Sequence, residues 1–201
     1  MIAIVDYGMG NRRSVEKALE HVGARAVVTA DHGRILAADG VILPGVGAFP
    51  EAMRNIAAAG LAEPLLERSG PVLGVCLGMQ LLFESSVEHE GAAGLGLLPG
   101  SVTPLDAPKV PHIGWNLVGF ERPSPLVDGL GDGAAFYHVH SFACRPASEA
   151  DVVGRGVYGE RFVSIVERGN VMGVQFHPGK SSRDGLALLR NFVRLCARVA
   201  A

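Results

Sequence analysis

Cys76, set between two glycines in Gly74-Val75-Cys76-Leu77-Gly78, is the residue best placed to do covalent chemistry. A short apolar run, Pro71 to Val75, precedes it and predicts a buried strand; Met79 to Glu84 follows and predicts a helix. A cysteine at such a strand-to-helix junction is a thiol form of the nucleophile elbow, in which flanking glycines permit a tight turn and lift the side chain clear of the sheet. The helix beyond it would offer unpaired N–H groups and a positive dipole end, favouring thiolate, and the Leu77 N–H would face an oxyanion on the attacked carbonyl. A lone cysteine in an apolar setting is otherwise core filler, so the elbow carries the inference.

A nucleophile needs a base, and His177 supplies one. The run Val171 to Phe176 predicts another buried strand, and His177-Pro178 stands at its end. If both strands lie parallel in one sheet, Cys76 and His177 emerge at the same edge. A third strand, Val41-Ile42-Leu43, runs into the glycine-rich loop Pro44-Gly45-Val46-Gly47, whose backbone can approach a ligand closely and offer a second N–H to the oxyanion.

The elements that position these groups read as a βα series. Ile2 to Asp6 is a first strand, followed by the loop Tyr7 to Asn11 and a helix capped by Asn11 that carries Val15, Ala18, Leu19 and Val22. Gly8-Met9-Gly10 lacks the third glycine and the acidic residue of a dinucleotide site, and reads as a tight turn. Ala26 to Thr29 is a second strand, and a helix spans about Pro50 to Ala59. Strands alternating with helices imply a mostly parallel central sheet with ligand loops at the strand carboxyl ends. After Glu88 the pattern shifts to short runs broken by Gly and Pro: Gly100 to Leu105, Trp115 to Phe120, Ala134 to Val139, Val152 to Val157 and Phe162 to Val166. These predict a mixed or antiparallel strand region added to an α/β fold, closed by an amphipathic helix from about Arg183 to Val199. No repeat or linker divides residues 1–201, so one domain is expected.

The composition is that of an ordinary soluble protein: 201 residues, 48% hydrophobic, 19% charged, net charge −2. That balance gives no electrostatic reason to expect nucleic acid or an anionic membrane, and the N-terminus shows no signal segment, so a cytoplasmic location is expected. The three cysteines, Cys76, Cys144 and Cys196, suggest neither a disulfide framework nor a metal cluster. Cys196 shares a helix face with Leu186, Leu189 and Val193 and reads as core. Cys144 is open.

Taken together, the elbow Gly74 to Gln80, the His177-Pro178 terminus and the Pro44–Gly47 loop resemble the class I, triad-type glutamine amidotransferases. Val5 to Asn11, Pro111-His112-Ile113-Gly114-Trp115-Asn116 and Phe136-Tyr137-His138-Val139-His140-Ser141 narrow this to a resemblance to glutaminase subunits of imidazole glycerol phosphate synthases. The resemblance runs from Ile2 to the last helix. It implies hydrolysis of glutamine to glutamate and ammonia, no cofactor or metal, and a heterodimer with a (β/α)8-barrel cyclase that uses the ammonia in histidine biosynthesis. On the same footing, Cys76 attacks the carboxamide, His177 manages the proton, and Val46, Gly47 and Leu77 form the oxyanion hole. Gly45, Gly47, Gln80, Glu88, Ser141 and Phe142 would hold glutamine, the last two through backbone groups. Asn11, His112, Trp115, Asn116, Tyr137 and Lys180 would face the cyclase.

One departure matters. The family reads His-Pro-Glu-Lys-Ser where this chain has His177-Pro178-Gly179-Lys180-Ser181, so the triad carboxylate is missing; Asp184 is the nearest acid. Arg12-Arg13 is a smaller departure. Two readings therefore compete: a glutaminase weakened at Gly179, or a non-catalytic subunit that keeps the fold and binds the cyclase. The intact Cys76, His177, Gln80 and glycine loops favour the enzyme. Some other elbow-cysteine hydrolase is disfavoured by the Trp115 and Tyr137 motifs.

Overall fold

Hydrophobic runs too short for helices, alternating with amphipathic segments, build three layers in the computed structural model, which describes residues 1–199. The first half runs β1 (Ile2–Val5), α1 (Arg12–His21), β2 (Ala26–Thr29), α2 (His32–Ala37), β3 (Gly40–Gly45), α3 (Phe49–Ala58), α4 (Ala62–Leu66), β4 (Val72–Cys76) and α5 (Leu77–Leu81). The second half is strand-rich: β5 (Phe83–Ser86), β6 (Ala92–Ala93), β7 (Leu98–Pro104), β8 (His112–Phe120), β9 (Gly133–His140), β10 (Phe142–Pro146), β11 (Val152–Tyr158), β12 (Glu160–Arg168) and β13 (Val171–Val174). The long helix α6 (Ser182–Val199) follows.

The described strands form one sheet, with the path β2-β1-β3-β4-β13-β12-β10-β7-β5-β6. The pairs β2–β1, β1–β3, β3–β4 and β4–β13 are all parallel, so the expected parallel half is present and its carboxyl ends share one edge. From β13 through β12 and β10 to β7 the pairing is antiparallel, β5 then lies parallel to β7, and β11, β8 and β9 branch off β12 as a second, antiparallel ribbon. The period-two alternation of a strand buried on both faces is plain in β1. Ala3 and Val5 pack with Ile35, Phe49, Ile56 and Leu65 beneath α2, α3 and α4, while Ile2 and Ile4 pack with Leu19, Leu188 and Phe192 beneath α1 and α6.

Local signals behave as the sequence predicts at α1, where the Asn11 carboxamide accepts from the Ser14 N–H. Arg12, part of the smaller departure, pairs with the Asp6 carboxylate, and Asp6 also accepts from the Gly8 N–H at 3.0 Å, closing the turn between β1 and α1. Cys144 is fully buried in β10, and Cys196 is buried on the sheet-facing side of α6.

The elbow helix is shorter than expected. Met79 to Glu84 does not continue as a helix: α5 ends at Leu81, and Phe83 begins β5. Phe83, Ser85 and Ser86 instead pair with β7, and the Leu95 and Leu98 N–H groups bond to the carbonyls of Leu81 and Leu82. These long-range bonds claim the carbonyls that a longer helix would have used. Among the described residues no helix is long and apolar enough to cross a membrane.

Candidate active site

Cys76 takes the strain of the elbow itself. Its φ is +57°, a value costly for a residue with a Cβ, and it sits between the end of β4 and the start of α5. The neighbouring glycines act by clearance. A Cβ at Gly78 would lie 1.8 Å from the Leu43 carbonyl oxygen, so only glycine lets α5 press this closely on β3. Strand register then places the partners. Gly45 pairs with Cys76 across β3–β4, and Val174 pairs with Val75 across β4–β13, so His177 leaves its strand at the same edge as the thiol.

A cleft of about 230 Å³ opens there, lined by Val46, Gly47, Cys76, Leu77, Gln80, Glu88, Pro111, Val139, His140, Ser141, Phe142 and His177. Its size suits a small metabolite. The residues of the oxyanion loop, the elbow and the expected glutamine pocket thus meet in one place, except Gly45. That residue lies within β3, where a Cβ would meet the Gly78 N at 2.7 Å and the Tyr7 hydroxyl at 2.9 Å. The Tyr7 hydroxyl donates to the Pro44 carbonyl at 2.7 Å and ties down the base of the loop. Gly47 has φ +103°, which leaves the loop N–H groups free to turn in a way other residues resist. Glu88 has a second task, accepting from the Phe49 N–H at 2.7 Å at the start of α3, where Ala48 offers no side-chain cap.

The thiol is neutral, contrary to the expectation of a helix-stabilised thiolate. Burial pushes the Cys76 thiol up to about 11, and the Leu77 N–H, the Gln175 amide and the charge on Lys180 offset it only in part. The five residues of α5 carry too short a dipole to outweigh desolvation. Sγ points toward the Val139 carbonyl at 3.6 Å and accepts from Gln175 Nε2 at 3.8 Å. His177 is also neutral: burial, followed by the Lys180 charge, lowers it to about 4. A neutral imidazole is the form able to take a proton. Its backbone is pinned by the Tyr137 carbonyl, which accepts the His177 N–H at 3.0 Å, and by the Ser181 hydroxyl, which donates to the His177 carbonyl at 2.8 Å.

Gly179 lies two residues beyond, in a short 3₁₀ turn, and is exposed. Beside it a small cavity of about 20 Å³ is lined by Asn11, Ser14, Val15, Pro44, Gly45, Val46, Val75, His177, Pro178 and Gly179. Asp184 sits in the first turn of α6 and pairs with Arg183 at 3.4 Å, so it is engaged away from the cleft lining.

The outer face of β8 carries an apolar stripe, Ile113, Trp115 and Leu117, each more than half exposed. Trp115 pairs with Tyr137 of β9, their rings edge to face, and Lys180 Nζ lies 6.0 Å from the Tyr137 ring. Asn11 and Lys180 are exposed and Asn116 is half-buried. His112 is a correction: placed on the partner-facing surface by its motif, it is 2% exposed. Alternation along β8 explains this, since Ile113, Trp115 and Leu117 point outward and His112 and Val118 point in. Residues that sequence reasoning missed are Gln175, Tyr7 and His140. For Gln175 the signal was present, a carboxamide inside an otherwise apolar strand run.

The glutamine amidotransferase class-I family model matches residues 3–196 of the chain. The imidazole glycerol phosphate synthase subunit HisH of Moorella thermoacetica is 54% identical over 198 residues, covering 96% of this chain and 94% of the relative. The subunit of the same name from Wolinella succinogenes is 48% identical, with 97% and 100% covered. A crystal structure titled glutamine amidotransferase superposes with a TM-score of 0.76 at 22% identity, covering 98% of this chain and all of the other, which shows the shared fold. With near-complete coverage by both the family model and relatives at about half identity, the chain belongs to the class I glutamine amidotransferase family, in its branch of imidazole glycerol phosphate synthase HisH subunits.

Proposed function

We propose that this cleft hydrolyses the side-chain amide of glutamine and that the ammonia passes to a (β/α)8-barrel cyclase docked on the β8–β9 face, as part of histidine biosynthesis. The observation that carries the reading is the meeting of a strained elbow cysteine and a neutral histidine, from neighbouring parallel strands, in one small cleft. His177 takes the thiol proton as Sγ attacks the amide carbon, and the Leu77 N–H with an N–H of the Val46–Gly47 loop holds the oxyanion. The proton then moves from His177 to the amide nitrogen, the C–N bond breaks, ammonia leaves and a thioester remains. Water attacks the thioester, giving its proton to His177; the carbon–sulfur bond breaks, glutamate leaves and the thiol is restored.

Gly47, Gln80, Glu88, Ser141 and Phe142 hold the substrate, and Trp115, Tyr137, Asn116, Asn11 and Lys180 meet the cyclase. Work in the cytoplasm fits this pathway role. Gly179 favours the second reading, a subunit that binds the cyclase without hydrolysing glutamine, since no carboxylate stands in the turn after His177. Glutamate release, measured with and without the cyclase and its ligand and with Cys76→Ala as control, separates the two. Release that needs Cys76 and rises with the liganded cyclase supports the enzyme. Docking without any release supports the scaffold.

A further inference from the structure

Two buried imidazoles, His112 and His140, take no part in the chemistry above. His140 Nδ1 lies 2.8 Å from the Phe142 carbonyl oxygen, and His140 Nε2 lies 3.1 Å from His112 Nδ1. A carbonyl only accepts, so His140 Nδ1 carries the proton and its Nε2 offers a lone pair. His112 Nδ1 must then donate, which leaves His112 Nε2 to accept from Asn116 Nδ2 at 3.4 Å. One backbone oxygen therefore fixes both tautomers.

The same oxygen also accepts from Gln80 Nε2 at 3.3 Å, and Gln80 Nε2 donates again to Gln175 Oε1 at 3.1 Å. Both amide protons of Gln80 are thereby committed, and its Oε1 has no hydrogen-bond partner among the described residues. Gln80, His140 and Phe142 all line the cleft.

We propose that His112 and His140 are positioning residues for substrate binding. They hold the Phe142 carbonyl against the Gln80 amide, so that Gln80 turns Oε1, an acceptor, toward an N–H group of glutamine. The inference rests on the glutamine reading of the cleft. Its ordering extends outward to Asn116, which also donates to the Val157 carbonyl at 2.9 Å beside the exposed stripe of β8.

The test is calorimetric glutamine binding to the cyclase-bound complex carrying Cys76→Ala, which prevents turnover. His112→Phe keeps an aromatic ring where His112 stacks on Tyr158 (centroids 4.1 Å apart) but cannot donate to His140. It should weaken glutamine affinity by about tenfold, roughly the worth of one hydrogen bond, with binding stoichiometry unchanged. His112→Asn, whose amide restores a donor near the position of Nδ1, should recover most of that loss. A structural role alone would instead lower the competent fraction and leave the Kd of the remainder intact, which would overturn the proposal. So would equal affinity in His112→Phe, or a nitrogen-15 ring spectrum of the intact chain with His140 protonated at Nε2. No binding by the parent complex would sink the glutamine reading and this inference with it.

Discussion

Gln175 donates its side-chain amide to the Cys76 sulfur across 3.8 Å, while its own carbonyl oxygen accepts from Gln80. The contact lowers a thiol that burial holds near 11. Gln175→Leu should therefore slow alkylation of Cys76 by a glutamine-like electrophile several-fold at fixed pH. In the unaltered chain the alkylation rate should climb roughly tenfold per pH unit until the thiol ionises, because only thiolate reacts. Mass mapping should find Cys76 modified ahead of Cys144 and Cys196, which burial pushes higher still and which lie outside the cleft lining. Earlier modification of either would contradict the site.

Gly179 is the position with most to gain. A Cβ there would stand 3.3 Å from the Ala18 Cβ and the Ser14 carbonyl oxygen, tight enough that these neighbours must yield by a few tenths of an ångström. Gly179→Glu should raise cyclase-stimulated turnover by roughly 10- to 1,000-fold, since a carboxylate beside the imidazole fixes its tautomer and stabilises the imidazolium. It should also raise the His177 pKa from about 4. Gly179→Gln, of equal size but uncharged, should recover far less. Equal turnover in all three chains would mean that another group already orients His177.

Docking should depend on the β8 stripe. Trp115 is 55% exposed between Ile113 and Leu117, and an exposed aromatic in an apolar patch is a typical anchor. Trp115→Ala should weaken cyclase binding by about 2 kcal/mol, read as a shift in the titration midpoint. Its Cys76 alkylation rate in the free chain should match the parent. A cyclase affinity that ignores Trp115 would place the interface elsewhere.

Acid should destabilise the fold in a defined window. Burial lowers His138 to about 3 and both His140 and His177 to about 4, against an ordinary value of 6.5. The unfolded chain therefore binds protons that the folded chain refuses as pH drops below about 6.5, and the stability present above that value is lost progressively toward about 4 for His140 and His177 and about 3 for His138. The urea midpoint should fall between pH 7 and pH 5, where carboxylates change little. A midpoint flat across that range would show these imidazoles to be better solvated than the structure has them.

The parallel half of the fold was legible because its inner strands, β1, β3, β4 and β13, are buried on both faces and read as apolar runs, as in Ile2–Val5 and Val72–Val75. Cys76 and His177 were legible for the same reason, standing where such runs stop. The end of α5 was not, because Leu82 and Phe83 suit helix and strand equally and bonds from Leu95 and Leu98 decide between them. β10 escaped notice because Phe142-Ala143-Cys144-Arg145-Pro146 is short, ends in proline and gains its place from β7. His112 was misplaced since a motif says which residues matter, whereas the pleat decides which way they point. The neutral thiol was hidden too, because desolvation depends on what covers Cys76 and not on its neighbours in sequence.

The register joining Val75 to Val174 works as a ruler. Nucleophile and base are each spaced from a backbone ladder buried at the centre of the sheet, so their separation is set by strand pairing and is indifferent to the loops that surround them. Gln80, Glu88 and Phe142, which shape the cleft, come from segments outside that ladder. Substrate choice and bond-breaking are thus stored in separable parts of the chain. Exchanging the segments around Glu88 and Phe142 should redirect the cleft toward other small amides while leaving the thiol and imidazole in place.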